Sequence, residues 1–101
     1  MSESDPTVHG LRDEISKVDR SIVDAVNARL ELVARLKRYK ASQGMAFLDP
    51  DRERRLLDDL SRANRGPLSA EGLQELIAAL LDLTKREVTR DGGSPSPDLE
   101  A

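Results

Sequence analysis

The sequence has no cysteine, no tryptophan and one histidine among its 101 residues. Without cysteine, neither disulfides nor thiolate metal sites are available. His9, alone near the start, cannot build a metal cluster, and no cofactor or metal is expected. Tyr39 and Phe47 are the whole aromatic complement, too little for platforms on which nucleic-acid bases stack. A basic excess is missing too: nineteen acids face sixteen bases, for a formal net charge of -3, whereas a dedicated nucleic-acid binder usually carries a basic patch or stripe. No apolar run approaches the length needed to cross a membrane. The opening MSESDPTVHG is acidic and polar, unlike a secretory signal, so a cytoplasmic protein is expected. The length points to one domain with a limited core. That core must be built from Leu, Ile, Val and Ala, which suits helices packed on helices.

Apolar residues recur at helical spacing from the start. Leu11, Ile15, Val18, Ile22 and Val26 form a stripe that continues through Arg29, Val33, Leu36 and Lys40, with steps of three and four throughout. The spacing predicts a long first helix from about His9 or Gly10, ended by Gly44 and FLDPD, with residues 1–8 as a disordered tail. Asp49 before Pro50 is a suitable cap and first turn for a second helix to about Ala63, with Leu56, Leu57 and Leu60 inward. Glu53 lies one residue too late for a standard capping box, whose position Arg52 occupies. Gly66 and Pro67 in NRGPLSAEG break the chain direction. Ser69 can cap a third helix, with Leu73, Leu76, Ile77, Leu80, Leu81 and Leu83 or Thr84 on its apolar face. It ends near Arg90, so the ordered domain is expected over 9–90, with 91–101 a disordered tail. The expected fold is all-α, with one long and two shorter helices. A first helix of about 33 residues is about 50 Å long, and a second of about 14 covers less than half of it. The wet remainder of the stripe predicts a two-fold dimer, although an exposed coiled-coil half has the same pattern.

Charges within the apolar period raise a chemical question, because a cation is costly to bury without a partner. Arg29 and Lys40 are three turns apart on one face. Arg12 flanks the stripe, and Arg52 stands beside Glu53. Arginine suits a bidentate grip on a carboxylate and lysine a point charge, so such a set would hold a small dianion. The plainer alternative has Arg12 pairing at the surface with Asp13, Ser16 or Asp19, and Glu53 stabilising a helix start. Arg35, Lys37 and Arg38 read as solvated charges.

Taken together, LRDEISKVDRSIVDAVNARLELVARLKRYKASQG, DPDRERRLL and NRGPLSAEGLQELIAALLDLTKRE resemble the all-helical (AroQ-class) chorismate mutase family over about residues 10 to 88. The resemblance implies three helices per chain intertwined in a homodimer, with each of two shared active sites taking one arginine from the partner. Residue by residue, it implies that Arg12 crosses to one substrate carboxylate, that Arg29 grips the other, and that Lys40 touches a carboxylate and the ether oxygen. Asp49 and Arg52 would line the pocket, Glu53 would accept from the ring hydroxyl, and Thr84 would lie near the same ring region. Val88 departs from the pattern. Many members carry glutamine or glutamate there, bonded to the breaking ether oxygen, which valine cannot do. Either Glu87 is brought in by a bent or shifted third helix, or the protein works without that contact.

The implied reaction is the pericyclic rearrangement of chorismate to prephenate, with a small dicarboxylate as substrate and no cofactor. Alternatives on the same scaffold are a 4-amino-4-deoxychorismate mutase and an isochorismate pyruvate-lyase. A non-catalytic dimer that binds a metabolite and regulates, or a plain helical interaction module, also fits the pattern. An interaction with another enzyme of the pathway is left open.

Overall fold

A computed structural model describes residues 5–93 of the chain, with side chains to residue 90. Three helices make up its regular structure: α1, Pro6–Ser42; α2, Pro50–Ala63; and α3, Ala70–Gly93. The fold is all-α, as the periodicity requires. The chain divides into two compact units, Met1–Leu32 and Val33–Ala101.

In the first unit, α1 starts earlier than expected. Asp5 caps it: its Oδ1 accepts the N–H of Thr7 at 2.7 Å, and its carbonyl accepts the N–H of His9 at 3.0 Å. Pro6 follows as the first helical residue, where a missing N–H costs nothing. Asp5-Pro6 is thus the same device as Asp49-Pro50. Residues 6–8 belong to the helix rather than to a tail, and residues 1–4 lie outside the described residues. Leu11, Ile15, Val18 and Ile22 are each more than half exposed. Val26 and Arg29 are half-buried.

The second unit opens on the last turns of α1. Gly44, at φ +70, ends that helix in a Schellman motif. The Met45 N–H reaches the Lys40 carbonyl at 2.8 Å and the Gly44 N–H reaches that of Ala41 at 3.2 Å. Lys37 is not the fully solvated charge the pattern suggests. It is half-buried, with its ammonium 5.6 Å from the centroid of the Phe47 ring, within cation–π range. Leu36, expected inward, is nearly half exposed.

α2 begins as expected at Asp49, whose Oδ1 accepts the Arg52 N–H at 3.1 Å. It ends at Asn64, whose N–H reaches the Leu60 carbonyl at 2.9 Å. The Asn64 side chain then spans the turn: its amide donates to the Leu68 carbonyl at 2.9 Å, and its carbonyl accepts the Gly66 N–H at 2.9 Å. Gly66 has φ +72, a backbone region that a side chain would strain.

Ser69 caps α3 as predicted, accepting the Gly72 N–H at 2.9 Å. A Cβ at position 72 would sit 2.9 Å from Leu68 Cδ1, so the glutamate of a standard capping box has no room without displacing that side chain.

α2 packs on α3. The buried residues of the described chain are Leu73, Ile77, Thr84 and Val88, all on α3, with steps of four, seven and four that keep them on one face. Thr84, and not Leu83, takes the fully inward position. Leu76 is 54% exposed, a correction to the sequence reading. At 100° per residue it falls about 60° from Leu73, on the side away from Ile77. α3 runs to Gly93, three residues past the predicted end, and the rest of the predicted tail, 94–101, lies outside the described residues.

Candidate active site

Asp49, Arg52 and Glu53 are set by one event, the capping of α2. The Asp49 carboxylate holds the Arg52 N–H and its carbonyl accepts the Glu53 N–H at 3.2 Å. The helical register then separates the two side chains by about 100°. Arg52 is exposed and Glu53 half-buried. Glu53 borders a groove of about 340 Å³ whose walls include Pro50, Leu57, Gln74, Ile77 and Leu81. Most of that wall is aliphatic, so a cation or a donor beside the half-buried carboxylate at its edge is favourable.

Lys85 supplies the cation. Its Nζ lies 3.2 Å from Glu53 Oε2 and ties α3 to α2. Sequence reasoning missed this residue. The available signal was its place four residues after Leu81 and three before Val88, at the edge of the buried stripe of α3. Among the described residues, the other ion pairs of α2 and α3 each lie within one helix: Arg54 with Asp51, Arg62 with Asp59, Arg86 with Asp82, and Arg90 with Glu87.

The remaining positions on α3 are also engaged. Thr84 is buried, and its hydroxyl donates to the Leu80 carbonyl of its own helix at 2.6 Å. Val88 is 2% exposed. Glu87 is half-buried, and its Oε2 lies 3.1 Å from Arg90, so its carboxylate is matched by a cation on the same helix.

Lys40 is half-buried in the last turn of α1, where the carbonyl end of a helix favours a cation. The Schellman bonds fix its backbone. Among the described residues, the side chains of Lys40 and Arg52 make no ion pair. In the first unit Arg12 is exposed and Arg29 half-buried. Among the described residues, Arg12 makes none of the surface pairs open to it with Asp13, Ser16 or Asp19. Asp49, Arg52, Glu53 and Lys85 therefore cluster where α2 starts, whereas Arg12 and Arg29 belong to the other unit.

A family profile described as chorismate mutase type II matches residues 11–88, from the first residue of the apolar stripe to Val88, the last buried residue among those described. The chain belongs to the chorismate mutase type II family. Its three-helix fold is that of solved members. It is similar to two structures of chorismate mutase from Thermus thermophilus. Form I superposes with a TM-score of 0.75 at 28% identity, covering 77% of this chain and 98% of the other. Form II gives 0.78 at 27%, covering 83% and 96%. The chain is also 31% identical over 84 residues to the bifunctional chorismate mutase/prephenate dehydratase of Aquifex aeolicus (strain VF5). That match takes in 75% of this chain and 23% of the relative, so the chain spans about a quarter of the length of that two-activity protein. No described helix is long and apolar enough to cross a membrane.

Proposed function

We propose that the protein is a chorismate mutase that converts chorismate to prephenate in sites shared between two copies of the chain. The observation that carries this reading is the family match over residues 11–88, which contains every cation and carboxylate of the proposed site. In it, Arg29 of one protomer grips one substrate carboxylate and Arg12 of the partner subunit grips the other, for which a planar guanidinium is suited. Lys40 faces the ether oxygen. Arg52 and Asp49 line the pocket, Glu53 accepts from the ring hydroxyl, and Thr84 lies near the ring.

The rearrangement breaks one C–O bond and forms one C–C bond within a single molecule, so it needs no nucleophile. Two demands remain. The flexible enolpyruvyl arm must be held over the ring in a chair-like form, which the carboxylate grips do by restricting orientation. Negative charge then grows on the ether oxygen as the C–O bond lengthens, and a cation there binds the transition state better than the ground state. Lys40 fits that part because its backbone is fixed by the Schellman bonds and its ammonium has no ion-pair partner among the described residues. Val88 is apolar and donates no second bond to that oxygen.

The exposed stripe of Leu11, Ile15, Val18 and Ile22 supports the dimer, since apolar area of that extent is normally covered. The test is direct: purified protein with chorismate, following loss of chorismate and formation of prephenate. Turnover is expected. Absence of turnover, together with no affinity for a stable chair-like dicarboxylate, would overturn the reading.

A further inference from the structure

We propose that Lys85 sets the substrate preference of this site. By neutralising Glu53, it selects a ring that carries a neutral hydroxyl over a ring that carries an amine. The inference rests on the proposed mutase reading and deepens it, because the bare family pattern leaves the hydroxyl and amino substrates open.

The geometry has three parts. Lys85 Nζ occupies Glu53 Oε2 at 3.2 Å, and Oε1 has no hydrogen bond within the described residues, so one carboxylate oxygen remains for a ligand. The pair joins two helices, unlike the pairs internal to α2 and α3, so its geometry is set by packing rather than by the pitch of one helix. Glu53 also lies at the rim of the mainly aliphatic groove, with its side chain 33% exposed and that of Lys85 46% exposed. There a charge is screened less than on an open surface.

A carboxylate paired in this way is still a good acceptor for a hydroxyl proton, and a hydroxyl asks for no net charge. An aliphatic amine is protonated near neutral pH. It would meet a site already neutralised on that side, with the Lys85 ammonium only a few ångströms behind the carboxylate. Like-charge juxtaposition of this kind is a common basis of discrimination. Removing the lysine charge would leave Glu53 as an unpaired anion facing the ring substituent, to the advantage of the amine. Lys85 is thus a positioning and charge-compensating residue that acts through Glu53.

The experiment uses the full chain as Lys85→Met and Lys85→Arg. Chorismate turnover gives kcat and KM, and 4-amino-4-deoxychorismate is added as a competitor to give its inhibition constant. In Lys85→Met the inhibition constant, relative to the KM for chorismate, should fall by about tenfold, the size of one modest charge-assisted contact. In Lys85→Arg, which keeps the charge, the ratio should stay at the wild-type value. Both variants should keep the wild-type thermal midpoint within a few degrees, because the side chain is nearly half exposed. A Lys85→Met protein with the wild-type ratio would overturn the inference while leaving the mutase reading intact. A wild-type protein that does not turn chorismate over would remove the reading itself, and this shows before either variant is compared.

Discussion

Asp49 and Arg52 are joined through the backbone rather than as charges: the Asp49 carboxylate accepts the Arg52 N–H at 3.1 Å. This one bond ends the loop, starts α2 and sets the register that gives Glu53 its place at the groove. Asp49 is therefore expected to contribute to stability as well as to any pocket it lines. Asp49→Ala should destabilise by about 1 kcal/mol, while Asp49→Asn, an equally good cap, should leave stability nearly unchanged. For a domain of this size the alanine change corresponds to a thermal midpoint lower by about 4–8 °C. A midpoint equal to wild type in Asp49→Ala would show that the cap contributes nothing.

The second expectation concerns assembly. Sedimentation at micromolar concentration should give twice the 11.2 kDa chain mass. Ile15→Glu, in the middle of the exposed stripe, should shift the protein toward monomer or unfold it, because a charge would be forced into the seam. A wild-type protein that sediments as a folded monomer would end the intertwined arrangement.

Shared sites make a sharper demand than dimerisation. Arg12→Ala and Arg29→Ala should each lower turnover by a factor of about 10² or more, the usual cost of a lost charge contact in the transition state. Coexpressed and isolated as a mixed dimer, the two should recover activity, because one of its two sites then holds both native arginines. Verified mixed dimers with no recovery would show that Arg12 does not act across the interface.

Lys40 and Val88 are separated by their burial. Lys40→Ala should lower kcat by about 10² or more and weaken binding of a chair-like dicarboxylate less, since the arginines still hold its carboxylates. Val88→Gln should destabilise the fold, because it puts an amide where the valine is 2% exposed, and an unsatisfied polar group there costs about 1–3 kcal/mol. Thermal melting and steady-state kinetics on the two variants test this. A Val88→Gln protein with a wild-type midpoint and raised turnover would show that position 88 faces the substrate after all.

The helices were legible because each is announced locally. The three- and four-residue steps of α1 and α3, Asp49-Pro50, Ser69 and Gly44 all act over one or two turns, where spacing and capping are decided by neighbours in sequence. Asp5-Pro6 carried the same signal and lay within an apparently loose tail. The apolar stripe of α1 and the resemblance to the mutase family were equally plain in the residues. What tertiary structure decided was partnership. That Thr84 rather than Leu83 turns fully inward, that Leu76 stays exposed, that Lys37 lies over Phe47 and that Lys85 pairs with Glu53 all depend on which surface packs against which. Periodicity gives the direction of a side chain about its own helix axis. It does not say what stands opposite, and a lysine on the edge of a stripe reads as solvated until the neighbouring helix places a carboxylate 3.2 Å from it.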